Sequence, residues 1–340
     1  MNHKVYILLL YFSALLCSVK VYSQDAHNSQ FFSSPLSVNP ANAGNFDASF
    51  RVTSNYRSQW ADFNNAFTTG FITVEGFFLK NKLDESSKLS WGTILIDDAS
   101  GNGLLTQQSL AFGVSYRKYL DGDLNHSLAV GFQGAYVRAG FNTSKADFED
   151  ELSSIGFNLT TQDVLLQQGL RKDGFDFSTG IQYAGYFSNK GLLHVGASAY
   201  HLNKYGLNFI DPAARAPIRY NINIGGYTSL NSNSYLHFSS QLQFQGIFKE
   251  FIYGAALELA LPVTSNRYTA AYLGLWFRNQ NFIIPYIGFE WNNARLGFTY
   301  DVGFLTRSAI SFAQYRTSEI ALSWLLRKKG DITRLKCPKF

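Results

Sequence analysis

Tyr235-Leu236-His237-Phe238-Ser239-Ser240-Gln241-Leu242-Gln243-Phe244-Gln245 decides the fold. Leu236, Phe238, Leu242 and Phe244 share one parity, while His237, Ser239, Gln241, Gln243 and Gln245 share the other. In a strand the two parities are opposite faces. Phe175, Phe177, Thr179, Ile181, Tyr183 and Phe187 alternate in the same way with Asp176, Ser178, Gly180, Gln182 and Ala184. So do Leu193, Val195, Ala197 and Ala199 with His194, Gly196, Ser198 and Tyr200, and Leu110, Phe112, Val114 and Tyr116 with Ala111, Gly113, Ser115 and Arg117. A soluble sandwich alternates too, but its polar face carries Lys and Glu. Here that face is Gln, Ser, Gly, Asn and Thr, which suits a narrow polar lumen with the apolar face on lipid. Lipid offers no partner to an unpaired backbone group, and among sheets only a closed barrel pairs them all. An arginine at Phe238 is therefore expected to be costly, and one at Gln241, on the other parity, far milder for folding.

The composition agrees. Charged residues are 16% of the 340, against about a quarter in a soluble protein. Lys4 precedes a nearly continuous apolar run, Val5 to Leu16, and Val21-Tyr22-Ser23 fits a cleavage site. Residues 1–23 therefore read as a secretory signal, with the mature chain starting at Gln24. The run is too short for a spanning helix, and Leu16 before Cys17 argues against lipid attachment. Removing Lys4 and Lys20 lowers the formal charge from +5 to +3, too weak and dispersed for nucleic acid. Cys337 is then the one thiol, so no intrachain disulfide can form.

Past the signal no stretch of 18 apolar residues occurs. Amphipathic segments fall near 47–57, 66–79, 88–97, 105–119, 124–140, 174–187, 190–202, 217–229, 234–246, 251–261, 267–278, 281–291, 293–302 and 317–326. The expected fold is all-β: a transmembrane antiparallel barrel of about fourteen strands, with both termini in the periplasm. Connections after even-numbered segments are short, as at Ser188-Asn189 and Asn292, and several after odd-numbered ones are long, above all Phe141 to Asp173. Short turns inside and long loops outside are usual for such barrels. The remaining divisions are a periplasmic N-terminal segment (24–46), the barrel (47–326) and a periplasmic tail (327–340). Gly303 to Tyr315 could itself be strand.

Catalytic and metal chemistry is missing from the pattern. His194 and His201 are seven apart on one expected strand, facing opposite sides, and His27, His126 and His237 have no partner at ligand spacing. Asp97-Asp98 before Gly101-Asn102-Gly103 lacks the calcium-loop pattern and reads as a strand end and turn. Ser115-Tyr116-Arg117-Lys118 matches Ser-x-x-Lys, but inside a strand and without its companion motifs. The acidic run Phe148-Glu149-Asp150-Glu151 reads first as a solvated loop and second as a docking contact. Neither a phosphate loop nor a dinucleotide fingerprint occurs. No enzyme activity, cofactor or metal is expected.

Gln24-Asp25-Ala26-His27-Asn28-Ser29-Gln30-Phe31-Phe32, then Pro35-Leu36 and Asn39-Pro40-Ala41-Asn42-Ala43-Gly44, resemble the mature N-terminus of the PorP/SprF family, membrane proteins of the bacterial type IX secretion system. Tyr56-Arg57-Ser58-Gln59-Trp60 follows at that family's spacing. Asp98-Ala99-Ser100-Gly101, Gly131 to Phe141, Phe175 to Gly180, Tyr300-Asp301, Ser318-Glu319-Ile320 and the ending Cys337-Pro338-Lys339-Phe340 are also similar. Ala26 stands where family members often have Pro, and Ser318 where His often precedes the Glu. The resemblance implies an outer-membrane component that binds secreted adhesins or other cargo with a C-terminal sorting domain. It would help to secrete them or anchor them to the surface, in some members for gliding motility. It implies contacts with periplasmic or outer-membrane secretion components and with the lipid bilayer. Its motifs make Asn39, Pro40, Ala41, Gly44, Tyr56, Arg57, Gln59, Trp60 and Glu319 the binding candidates.

Two other readings compete. A passive solute porin usually carries opposed charge clusters at a constriction, and none can be placed from the sequence. A barrel protease or lipase needs a nucleophile and a base. Residues 24–45 hold Phe31, Phe32, Leu36 and Val38, with Pro35 and Pro40 preventing a regular helix. Such a leader is hard to leave in water, so it is expected to fold against the barrel's periplasmic end or into its lumen. The basic tail, Arg327 to Phe340, reads either as a frayed end or as a docking peptide for a periplasmic component.

Overall fold

The structure is a computed structural model, and it describes residues 25–61, 66–78, 86–146, 149–157, 170–188, 191–207, 213–262, 268–279, 281–303 and 316–327. The sequence-predicted signal and cleavage site, the segment 304–315 and the tail beyond Arg327 with Cys337 lie outside the described residues.

Strict alternation builds the wall. Its strands are β1 (Phe50–Gln59), β2 (Phe67–Phe78), β3 (Ser87–Ser100), β4 (Leu105–Tyr119) and β5 (His126–Phe141). After a small loop hairpin, β6 (Leu152–Ser153) with β7 (Gly156–Phe157), come β8 (Leu170–Ser188), β9 (Gly191–Tyr200), β10 (Arg219–Asn231) and β11 (Ser234–Gln245). The last are β12 (Phe248–Ala260), β13 (Thr269–Arg278), β14 (Phe282–Trp291), β15 (Ala294–Gly303) and β16 (Thr317–Leu326). All except β6 and β7 join one closed antiparallel barrel of fourteen strands. Closure runs through β1 and β16, paired from Phe50↔Leu326 to Gln59↔Thr317.

Burial is inverted relative to a soluble protein. On β11, His237, Ser239, Gln241, Gln243 and Gln245 are buried while Leu236 is exposed. Leu273, Ile287, Phe132 and Phe177 are each more than half exposed on the outside. Only lipid makes such a surface stable. Outward aromatics gather near both strand ends: Phe50, Phe78, Phe187, Trp291 and Trp324 at one, Tyr56, Phe175, Tyr220 and Phe251 at the other. Aromatic girdles mark the two interfaces of an outer-membrane barrel.

Some boundaries differ from expectation. β1 starts at Phe50, because residues 47–49 still belong to the buried N-terminal segment. β12 begins at Phe248 because the β11–β12 turn is two residues long, with Gly246 at φ 59°. The two rims are unequal. Connections at 142–169, 201–218 and 304–316 share one mouth with the short turn at 246–247. At the other mouth the connections are eight residues or shorter, two each at 189–190, 232–233 and 292–293.

Candidate functional site

The lumen is full. Residues 25–49 lie inside the barrel, with Ser29, Gln30, Ser34, Asn39 and Ala41 shut off from solvent. The segment is a string of single turns: Phe31–Ser33, Pro35–Val38 and Pro40–Asn42. Pro35 and Pro40 each open a turn, the position where a missing N–H costs nothing. Phe31 and Val38 pack on Ile252, Trp276, Ile284 and Tyr286. Leu36 and Ala43 pack on Phe71, Ile94, Ala111 and Val137. Burying Phe31, Leu36 and Val38 contributes several kcal/mol, at about 1.5–3 kcal/mol each.

Asn39-Pro40-Ala41 sits in a notch made by glycines on three adjacent strands. The Asn39 Oδ1 accepts from the Ala41 N–H at 2.9 Å, and its Nδ2 donates to the Ile181 and Ala197 carbonyls at 3.0 and 3.4 Å. A Cβ on Gly180 would stand 2.0 Å from the Asn39 Oδ1, one on Gly196 2.7 Å from its Nδ2, and one on Gly131 2.4 Å from the Ala41 nitrogen. At Gly131 the glycine lets two backbones approach closely, and at Gly180 and Gly196 it leaves room for the Asn39 amide. Wall side chains then take up the segment's carbonyls. Ser115 donates to Ala41 O, Ser198 and Asn221 to Val38 O, Tyr200 to Leu36 O and Arg219 to Ser37 O.

Glu319 grips the segment earlier in the chain. Its carboxylate accepts from the Ser29 N–H at 2.6 Å, the Gln30 N–H at 2.9 Å and the Asn55 amide at 2.6 Å. Arg57 lies 3.8 Å from Glu319 and 3.5 Å from Asp301. Arg278 pairs with Asp301 at 2.6 Å and with Glu250 at 3.2 Å. The Ser29 hydroxyl donates to Asp301 and accepts from Arg57 and Arg278. These are the opposed charges that could not be placed from sequence. They clamp the plug and do not line an open constriction.

Each end of the segment has its own anchor. At one, Asp25 accepts from His201 at 2.6 Å and from Gln245 at 2.9 Å and pairs with Arg219 at 3.0 Å; His201 also meets Asp176 at 3.0 Å. Burial opposes a charge on His201, but the Asp25 and Asp176 carboxylates outweigh it and raise the imidazole to about 9. Burial likewise opposes the Asp25 charge, and His201 and Arg219 prevail, holding its carboxyl below the usual range. At the other end, Glu75 accepts from the Gly44 N–H at 3.3 Å and from Arg51 Nε at 2.8 Å. Gly44 has φ 72° and no room for a Cβ, which would stand 2.0 Å from Ser90 Oγ.

Of the residues singled out from sequence, Asn39, Pro40, Ala41, Gly44, Arg57 and Glu319 are gathered inside the lumen. Gln59 is half-buried and accepts from Arg57 at 3.4 Å. Tyr56 points outward and is 52% exposed, away from the others. Trp60 ends β1 at φ 57° with its ring edge-on to Phe67. Residues 24–46 were expected as a periplasmic segment folded against the barrel's periplasmic end or into its lumen. The described part runs through the barrel, and its Asp25 end lies at the mouth opposite the start of β1. Sequence reading missed Gly196, Arg278, Glu250 and the Asp25–His201 pair; Gly131, Gly180 and Asp301 stood within matched stretches without an assigned part.

Among the described residues no group of three or more His, Cys, Asp or Glu is arranged to hold a metal. A cavity of about 60 Å³ remains between Phe31, Phe32 and Val38 of the plug and Gln182, Asn223 and Arg295 of the wall. That is room for a few waters.

Residues 20–324 match the family described as type IX secretion system membrane protein PorP/SprF. No curated protein sequence matches the chain. Among solved structures, the CymD monoaromatic hydrocarbon channel is similar at 8% identity and TM-score 0.47, over 90% of this chain and 95% of that one. The Pseudomonas putida toluene transporter TodX is similar at 7% identity and TM-score 0.49, over 90% and 98%. CdiB from Acinetobacter baumannii is similar at 8% identity and TM-score 0.45, over 81% and 59%. A closed fourteen-stranded wall with a lipid-facing exterior belongs to the outer membrane, and this chain belongs to the PorP/SprF family of type IX secretion system membrane proteins.

Proposed function

We propose that this type IX secretion barrel is a closed platform that binds secreted adhesins or other cargo carrying a C-terminal sorting domain. It helps them reach and stay on the cell surface, and gliding motility is one process such cargo serves. The observation that carries this reading is the filled lumen: residues 25–49 occupy the space a solute would need. A passive porin needs that space open. A platform needs only a rigid wall and rims, and the plug supplies rigidity by tying β1–β5, β8–β10, β11 and β13–β16 to one segment. The role is one of binding rather than catalysis. The partners are the cargo on one side and secretion components on the other.

Purified barrel in planar bilayers should show no steady ion conductance, and immobilised barrel should retain adhesins with the sorting domain and release them when the domain is removed. Steady conductance of the intact protein would return the porin reading. Retention independent of the sorting domain would sink the cargo reading even if the barrel is closed.

A further inference from the structure

The N-terminal segment enters the lumen at one mouth and finishes at the other. Phe50 opens β1 at the short-turn mouth, facing Gly76 and Leu326. Asp25 is held at the opposite rim. Gln245 is the last residue of β11, Arg219 the first of β10, and His201 follows the last residue of β9. His27 stacks on Phe248, the first residue of β12, with ring centroids 6.2 Å apart. Ala26 packs against the same apolar cluster as Tyr205 and Leu207 of the 201–218 connection. The amino end therefore sits under the long connections.

The segment is closely seated along this path: a Cβ added at Gly131, Gly180 or Gly196 would stand 2.4, 2.0 or 2.7 Å from the plug.

We infer that the amino end of the mature chain threads the barrel from the short-turn mouth to the long-loop mouth, where it is displayed at the cell surface. The amino end is then part of the surface that a partner docking on the long connections meets. This holds whether or not cargo binds there.

Three thiols test it in a Cys337→Ser background, each assayed on heat-modifiable, membrane-assembled barrel. One is a Gly-Ser-Cys-Gly insertion between Gln24 and Asp25. The second is Ile155→Cys in the loop hairpin, where Ile155 is 83% exposed. The third is Ser232→Cys in the short β10–β11 turn. With a membrane-impermeant maleimide on intact cells, the inserted thiol and Ile155→Cys should be labelled, and Ser232→Cys only after lysis. An inserted thiol that follows Ser232→Cys overturns threading. Labelling of both Ile155→Cys and the insertion only after lysis overturns surface display.

Discussion

The Asn39 side chain fills the space that a side chain at Gly180 would take: a Cβ there would stand 2.0 Å from the Asn39 Oδ1. The contact joins a turn of the plug to the middle of β8, across 141 residues of chain. It rests on backbone as well as side chain, since Asn39 Nδ2 also reaches the carbonyls of Ile181 and Ala197.

Gly180→Ala should therefore push the plug off its seat. Overpacking of this kind costs about 1–3 kcal/mol. The expected result is a lower unfolding temperature on heat-modifiability gels and faster clipping of the segment before Gly44. Gly134→Ala is the control, because its Cβ would meet nothing nearer than 3.7 Å. Equal loss in both variants would mean that strand glycine itself, not the notch, matters.

Glu319 takes two consecutive backbone N–H groups and the Asn55 amide while facing Arg57. Glu319→Ala leaves those buried donors without an acceptor and weakens the setting of a buried guanidinium. The expected cost is about 3 kcal/mol or more. Glu319→Gln keeps one acceptor but turns an NH₂ toward N–H donors, so it should rescue little. Denaturant titration in micelles reads both, and a cost of under about 1 kcal/mol for Glu319→Ala would show that the grip contributes little.

The Asp25 anchor should loosen in alkali. His201, which lies outside the strands, is raised to about 9 and so is charged at neutral pH. Its contribution is fully present below about 6.5, the ordinary imidazole value, and is lost as pH rises through about 9. Asp25 stays ionised throughout, being held below the usual carboxylate range. Burial lifts the Tyr205 hydroxyl, whose ring lies 5.2 Å from His201, above its usual range and out of the window. Amide exchange at Asp25 to Ser29 should accelerate between pH 7 and 10 beyond its intrinsic base catalysis, and His201→Gln should abolish the excess. An unchanged pH profile in His201→Gln would remove the imidazole from the account.

Phe238 sits mid-strand on the lipid side of β11. Phe238→Arg should cost about 2–4 kcal/mol if it lies at the bilayer midplane, measured by refolding into lipid vesicles. At the neighbouring lumen position the expectation is a far milder effect on folding. Gln241 is buried beside Asn221 and Gln243, so Gln241→Arg should be tolerated in barrel closure yet displace the plug. Protease sensitivity of the segment before Gly44, with heat-modifiability retained, distinguishes the two.

The wall was legible in the primary structure because strand alternation is local. Leu236 and Phe238 against His237 and Ser239 separate the two faces with no knowledge of neighbours, and lipid outside makes the separation strict. The absence of Lys and Glu from much of the inner face also showed, but its cause did not: those residues face a packed plug rather than water. Phe31, Phe32, Leu36 and Val38 announced that their segment must be buried, and burial has no address in sequence.

Chain order alone thus determined the strands, their faces, the even count and the need to cover the N-terminal apolar residues, since each follows from short-range pattern and solvent. Only the tertiary structure decided that Glu319 receives Ser29 and Gln30, that Asp301 joins Arg57 to Arg278, and that Gly131, Gly180 and Gly196 form one notch. Those partners are 289 and 290 residues apart for Glu319 and 244 for Arg57 with Asp301. Closing the barrel through β1 and β16 brings the two ends of the chain together, and no local rule encodes which charges then meet inside.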